Sequence, residues 1–430
     1  MADERPPGFR LQLSVVSERL PPEGSFPAAG VLLSEPMRRF RCNEKGCCCS
    51  GWDIPFQLED FLRLHERFDE TDRAQLTKQL KLVVEPPKDG GPIDAGERVL
   101  QSIKLNGVGD DKHCRFLTGH GGCGVQEKYG VEALPDLCVD FPAFGYRQPD
   151  GPAELFFDPI CPEVLERLDE SDAPLRLHHQ PASFDNPMLD LRARHATMPV
   201  QLSVEGAGLL PAPAFVLRNA CIEAFARPRP PWKSLQAVLE AIRGLKSGDR
   251  LNADWPPEPG DPVGFLHFLN ACLGAHSAEL LVVLFQRYQR FVFAIDLAPV
   301  LAQREVFLHH LEDFRPAFGE WLAAQEEKLA PLWARWLAHR FSAPFVTQKG
   351  DLRMAADAIT HRYGTALRIA AALGATLQRP VDRAIFKVAI GASEFFYRSL
   401  HLPRQSLPWY CAARLELEPQ PPPAGAPATP

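Results

Sequence analysis

The sequence predicts a mainly α protein in which a small cysteine-rich α+β module is followed by a larger all-α domain. Two observations predict this division. Eight of the 11 cysteines fall within residues 42–161, where strand patterns also alternate with helical ones. From about residue 216 to 402, apolar residues recur at helical spacing and strand patterns are scarce. At 430 residues the chain is long enough for two or three domains.

The predicted organisation follows changes in composition along the chain. Residues 1–30 are rich in proline and poorly patterned, which predicts an extended lead-in, and the cysteine-rich module then occupies residues 31–168. Repeated prolines without a clear period predict a connecting segment over 169–215. The helical domain covers 216–410, and the proline- and alanine-rich residues 411–430 are predicted to be a disordered tail.

Within the module, local patterns predict individual elements. Apolar residues at helical spacing predict a helix in FQLEDFLRLHERF (56–68) and a second in TDRAQLTKQLKLV (71–83). RVLQSIKLNG (98–107) resembles a strand that feeds a loop, and AFGYRQPDGPAELFF (143–157) is typical of a hairpin. CPEVLERL begins a helix with Pro162 at a position where its missing N–H has no cost.

Charge and hydropathy exclude several classes of protein. The net charge of −7 argues against broad binding of nucleic acid or of an anionic membrane. The N-terminus carries charges and prolines where a signal peptide needs an apolar core. The most apolar stretch, residues 279–301, is interrupted at its centre by glutamine and arginine, which predicts a buried helix rather than a membrane span. We therefore expect a cytoplasmic protein, in a compartment where disulfides are disfavoured.

The cysteines provide the strongest chemical signal. FRCNEKGCCCSGW, residues 40–52, contains three consecutive cysteines and a fourth five residues earlier. The candidate metal ligands are Cys42, Cys47, Cys48, Cys49, Cys114, Cys123, Cys138 and Cys161. The remaining cysteines are scattered, and both Cys221 and Cys272 lie in helix-like apolar segments where a cysteine is usually a small buried hydrophobe.

The residues leave more than one metal open. Disulfides are disfavoured, because neighbouring cysteines do not easily pair and the expected compartment is reducing. Structural zinc commonly uses C-x2-C pairs, which the chain lacks, although His113 and His120 could complete a mixed set of ligands. An iron–sulfur cluster needs four thiolates and tolerates irregular spacing. The pattern does not say which four of the eight cysteines would bind it.

Four segments resemble a known family. FRCNEKGCCCSGWDIPFQLEDF resembles the opening motif of the flagellin lysine-N-methylase family. CRFLTGHGGCGVQEKYG, LPDLCVDFPAFG and ICPEVLERL are similar to later segments of that family, in the same order, so that the resemblance covers about residues 36–168. The broader relatives are cysteine-cluster proteins described as zinc- or iron-chelating.

The sequence departs from the family pattern at two points. Cys47 directly precedes Cys48, where the family usually separates the second cysteine from the following pair, which makes Cys47 the displaced member. The family's Tyr-Pro-Arg is replaced by Phe141, Pro142 and Ala143, so a positive charge near the site is lost. Arg147 is a candidate to replace that charge.

The resemblance implies a [4Fe-4S] cluster held by the N-terminal cysteines, and S-adenosylmethionine as the donor for methylation of lysine side chains. The implied partner is a protein substrate with exposed lysines, which would be flagellin by resemblance alone. The candidate catalytic residues are Trp52, Asp53, Tyr129 and Asp140. The candidate cofactor-binding residues are Phe141 and Arg147. Ordinary packing or solvation would also explain each of them. The alternative is a non-catalytic zinc- or iron-binding protein that acts as a binding or maturation module.

Overall fold

Most of the residues that the computed structural model describes lie in helices, so the prediction of a mainly α chain is confirmed. The described residues are 10–11, 14–15, 31–41, 55–56, 58–84, 101–105, 114, 116–118, 122–147, 152–180, 192, 202–204, 207–209, 211–246, 250–251, 255–260, 265, 297–313, 318–342 and 350–399.

The α-helices range from one turn to seven turns in length. They are α1 (Leu58–Arg67), α2 (Glu70–Gln79), α3 (Gly124–Tyr129), α4 (Asp136–Asp140), α5 (Pro162–Asp169), α6 (Pro211–Ala224), α7 (Pro231–Gly244), α8 (Ala298–Ala302), α9 (Arg304–Asp313), α10 (Phe318–Ser342), α11 (Leu352–Thr376) and α12 (Arg383–Ser399). Short 3-10 helices lie at Glu35–Arg39 and Val131–Ala133.

The strands are short, and many have only two or three residues. They are β1 (Arg10–Leu11), β2 (Ser14–Val15), β3 (Val31–Ser34), β4 (Pro55–Phe56), β5 (Leu80–Val84), β6 (Gln101–Leu105), β7 (Ala143–Arg147), β8 (Ala153–Phe157), β9 (Leu177–Gln180), β10 (Leu202–Val204), β11 (Ala207–Leu209), β12 (Arg250–Leu251) and β13 (Gly350–Asp351).

The chain divides into two structural units. The cysteine unit contains residues 18–200 and 285–298, and the helical unit contains residues 1–17, 201–284 and 299–430. Strand β1, which lies in the predicted lead-in, pairs in parallel with β11 of the helical unit. The helical unit also contains a four-stranded sheet in the order β1-β11-β10-β13. Strands of two or three residues are too short to show an alternating pattern in the sequence.

A four-stranded sheet in the order β7-β8-β3-β9 forms one part of the cysteine unit. The predicted hairpin is confirmed, since β7 pairs antiparallel with β8 from Ala143 opposite Phe157 to Arg147 opposite Ala153. Strand β8 lies parallel to β3, and every residue of these two strands is buried. A second sheet has the order β4-β6-β5.

The helix predicted over residues 71–83 is shorter than expected. Helix α2 ends at Gln79, and Leu80–Val84 form β5, which pairs antiparallel with β6. The sequence LKLVV alternates apolar and polar residues over its first positions and ends in two β-branched valines, both of which favour a strand.

A small apolar core lies beside the sheets of the cysteine unit. We call it the core cluster, and it consists of Leu64, Phe68, Leu76, Val125, Ala133, Leu134 and Val139. Its members come from α1 to α4 and the loops between them, so that short elements from residue 64 to residue 139 share one hydrophobic centre.

Long helices build the core of the helical unit. Trp333 and Trp336 of α10 pack against Phe386 of α12 at ring-centroid distances of 5.1 and 6.3 Å. The buried carboxylate of Glu394 accepts a hydrogen bond from Trp336 and forms ion pairs with Arg340 and Arg362. Among the described residues, we find no helix whose length and hydropathy would let it cross a membrane.

Candidate metal-binding site

Three of the predicted cysteine ligands lie around one hydrophobic centre. Cys114, Cys123 and Cys138 each pack against the core cluster and are half-buried. They come from three separate segments, two of which begin or lie within the short helices α3 and α4. The core cluster therefore brings cysteines that are distant in sequence to the rim of the same small core.

A tight turn joins the first two of these cysteines. Leu117 N donates to Cys114 O at 3.0 Å, and Leu117 forms an antiparallel bridge with Cys123. Gly124 N then donates to Phe116 O at 2.7 Å. A Cβ atom on Gly124 would lie 3.1 Å from this oxygen, which is tighter than nine in ten real Cβ contacts, so the close approach favours glycine.

Part-buried polar contacts hold the segment that leads to Cys138. The Asp60 carboxylate accepts a hydrogen bond from Asp136 N at 3.0 Å and one from Arg63 at 2.5 Å. Arg63 also donates to Leu134 O at 3.0 Å and to the Asp136 carboxylate at 2.7 Å. Helix α1 thereby fixes the start of α4, and Cys138 is held in place two residues later.

Cys161 occupies the N-cap position of α5 and is half-buried. Cys161 N donates to Asp158 O at 3.1 Å, and Asp158 N donates to Pro142 O at 2.7 Å. The turn that carries Cys161 is thus hydrogen-bonded to the segment that follows Cys138. A helix N-terminus favours negative charge, which suits a thiolate ligand at this position.

Tyr129 is held by contacts with α2 and the residues before it. Its ring stacks on Phe68 at a centroid distance of 4.8 Å. The hydroxyl donates to the Asp72 carboxylate at 2.7 Å and accepts from Asp69 N at 3.1 Å. Lys128 Nζ forms ion pairs with the carboxylates of Asp69 and Asp72, and its hydrogen bond with Asp69 lowers the pKa of Asp69 to about 2. These contacts account for Tyr129 as a structural residue.

The other described candidates surround the end of α4 and the start of β7. Asp140, the last residue of α4, is half-buried, and so is Phe141. Ala143, which replaces the family arginine, is the buried first residue of β7, and Arg147 is its last residue. The structure therefore places Arg147 at the far end of the strand from Cys138.

A buried arginine that the sequence did not indicate lies at the same place. Arg192 is 4% exposed, and its Nε donates to Val139 O at 2.7 Å. Its Nη2 donates to Phe141 O at 2.9 Å. Arg192 falls in the predicted connecting segment, which has no apolar period, so the sequence carried no signal for its burial.

The remaining candidates lie outside the described residues. These are Cys42, Cys47, Cys48, Cys49, Trp52 and Asp53, together with His113 and His120. Within the part of the chain that the structure describes, no three histidine, cysteine or acidic side chains form a group that could hold a metal ion. The described cysteines alone therefore do not complete a metal site.

Cys221 of α6 provides the contrasting case. It is 0% exposed, and burial raises its pKa above the ordinary value of a thiol. Its interpretation as a small buried hydrophobe is confirmed.

Comparison with known proteins adds no relative. No protein-family model matches the chain, and no curated protein or solved structure is similar to it.

Proposed function

We propose that the cysteine unit binds a [4Fe-4S] cluster and that the protein methylates lysine side chains of a protein substrate, with S-adenosylmethionine as donor. The observation that carries the metal-binding part is the position of Cys114, Cys123 and Cys138 around one core cluster. The methyl-transfer part rests on the order of the four sequence motifs.

The chemistry of the donors fits this proposal. Thiolates are soft ligands that suit iron–sulfur clusters and zinc. Because the described cysteines do not form a metal group by themselves, the proposed ligand set includes cysteines from residues 42–49.

The covalent chain supports a contribution from Cys42. The Phe40 ring packs on Phe157 with a centroid distance of 4.9 Å, and Phe157 precedes Cys161 by four residues. Two residues of extended chain span at most about 7 Å, which is the reach of Cys42 from Phe40. The contact between Phe40 and Phe157 therefore lies two residues from Cys42 and four residues from Cys161 along the chain.

Methyl transfer makes simple demands on the chain. The lone pair of the lysine Nζ forms a bond to the methyl carbon while the carbon–sulfur bond breaks and its electrons remain on sulfur. The site must align the two groups and accept a proton from the amine. Asp140 is the described carboxylate proposed for this proton, since it lies two residues from Cys138 and is half-buried. A bound cluster would supply a one-electron redox centre.

A second candidate function is a non-catalytic zinc- or iron-binding module. The contacts of Tyr129 favour it, because both the ring and the hydroxyl of this candidate catalytic residue are engaged in holding α2 and α3 together. The loss of the family arginine at Ala143 also favours it.

Labelled S-adenosylmethionine tests the proposal on protein purified without oxygen. We expect label on lysines of a lysine-rich protein substrate, and loss of that label in Cys138→Ser. Cys221→Ser is the matched control, which should retain transfer because Cys221 belongs to the helical unit. A wild-type protein that binds metal and transfers no label would overturn the enzymatic part and leave the binding module.

A further inference from the structure

Arg192 contacts three chain segments, each of which carries a cysteine. Its guanidinium donates to the carbonyl oxygens of Val139 and Phe141, which follow Cys138 by one and three residues. The same guanidinium lies over the Phe40 ring, with its Cζ atom 5.3 Å from the ring centroid. It also lies 5.5 Å from the centroid of the Phe157 ring.

The contacts of Arg192 join segments that are far apart in sequence. Phe40 precedes Cys42 by two residues, and Phe157 precedes Cys161 by four. One side chain therefore connects the approach to Cys42, the exit from Cys138 and the approach to Cys161. The hydrogen bond from Asp158 N to Pro142 O at 2.7 Å joins two of the same segments independently.

Burial of a guanidinium is costly unless its hydrogen bonds are satisfied. Two carbonyl oxygens and two aromatic faces offset part of this cost. At 4% exposure, these contacts hold the side chain in one position between the three segments.

We propose that Arg192 is the positioning residue of the cysteine site. It holds in one arrangement the segments of Phe40, Val139–Phe141 and Phe157, which adjoin Cys42, Cys138 and Cys161 in the sequence. The positioning role rests on contacts within the cysteine unit, whereas its effect on metal binding rests on the proposed metal site.

The test uses the full chain with Arg192→Met, which removes charge and hydrogen bonds, and Arg192→Lys, which keeps the charge. Loss of a residue that orients metal ligands lowers metal affinity by about 10- to 100-fold. We expect a loss of this size in Arg192→Met and a smaller loss in Arg192→Lys, measured by competition with a chelator against wild-type protein loaded without oxygen.

Arg227→Met is the matched control. Arg227 also donates to two backbone carbonyls, those of Pro256 at 2.9 Å and Trp255 at 2.8 Å, and it belongs to the helical unit. Its loss should lower the unfolding midpoint and leave metal affinity unchanged. An equal loss of metal affinity in Arg227→Met would overturn the proposal, since general destabilisation would then explain the effect.

A second readout does not depend on metal. In metal-free protein, a short bifunctional thiol reagent should cross-link Cys138 to Cys161, and the yield should fall severalfold in Arg192→Met. If the wild-type protein binds no metal but Arg192→Met still lowers the cross-linking yield, the proposed function is overturned and the positioning role of Arg192 is supported. Metal affinity and cross-linking that both match wild type would overturn positioning by Arg192 and leave the proposed function intact.

Discussion

The two units place their reactive and charged groups differently. In the cysteine unit, Cys114, Cys123 and Cys138 lie half-buried at the rim of the core cluster. In the helical unit, Cys221 is 0% exposed, and the carboxylate of Glu394 is buried between two arginines and an indole.

This difference in burial separates groups that can react with a ligand from groups that stabilise the fold. A half-buried thiol is oriented by the core and remains accessible to a ligand, whereas a fully buried thiol acts as a packing group. A charge network inside a helical core is accessible to no ligand, but loss of one partner leaves buried charge without its counterpart. Four measurements test this contrast between the two units.

Thiol alkylation should show the largest difference between the units. We expect Cys114, Cys123 and Cys138 to react in native metal-free protein at least about a thousandfold faster than Cys221, since a core thiol reacts only after unfolding. Burial raises the pKa of Cys221, so this thiol stays protonated as the pH rises past the ordinary thiol value. Mass spectrometry of partly labelled protein measures each site, and comparable rates would contradict the contrast.

The buried carboxylate of the helical unit should have the next largest effect. Glu394→Gln removes a charge that Arg340 and Arg362 approach at 3.3 and 3.2 Å, and breaking such a buried pair costs about 3–5 kcal/mol. Glu258→Gln is the matched control, because Glu258 pairs with Arg229 and its side chain is 84% exposed. We expect less than about 1 kcal/mol there. Denaturant unfolding measures both, and equal losses would refute the burial argument.

The aromatic packing of the core cluster should have a moderate effect. Phe68→Leu keeps an apolar side chain but removes stacking on Tyr129 and the edge contact with Phe116, at centroid distances of 4.8 and 5.4 Å. We expect a loss of about 1 kcal/mol in the free energy of unfolding. Leu62→Ala, at a position 50% exposed on the same helix as Leu64, should change it by less than about 0.5 kcal/mol. A larger loss of stability in Leu62→Ala than in Phe68→Leu would contradict the position of the core cluster.

The exposed ion pairs of Lys128 should have the smallest effect. Lys128→Met removes the hydrogen bond that lowers the pKa of Asp69 to about 2, so that pKa should rise toward the ordinary carboxyl value. A carboxyl group whose pKa is lowered by folding stabilises the folded state at pH values above the ordinary carboxyl pKa. This contribution is lost as the pH falls toward 2. NMR titration measures the pKa, and we expect the unfolding midpoint at neutral pH to stay nearly constant. A large drop in the midpoint would contradict a surface role.

The sequence predicted the elements whose patterns are long enough to read. Apolar spacing identified α1, Pro162 at the first helical position identified α5, and two aromatic strands around Pro-Asp-Gly identified the β7–β8 hairpin. The clustering of cysteines predicts a candidate site in this part of the chain, which stays a prediction, and three of these cysteines pack against one core cluster.

The contacts that depend on tertiary structure were not predictable. Arg192 lies 53 residues from Val139, and no local pattern marks a guanidinium that becomes buried by folding. The pairing of β1 with β11 joins strands of two and three residues that lie almost 200 residues apart, and neither strand shows a period. Both features depend on which segments meet in space, and single-sequence patterns carry no information on that.

Metal analysis of wild-type protein purified without oxygen tests whether the cysteine unit binds a [4Fe-4S] cluster. We expect iron and sulfide in the ratio that a [4Fe-4S] cluster requires, with the broad visible absorption of such a cluster, and loss of both in Cys138→Ser but not in Cys221→Ser. Protein that contains neither iron nor zinc would contradict the assignment of the cysteine unit as a metal site, and a colourless zinc protein would contradict the cluster.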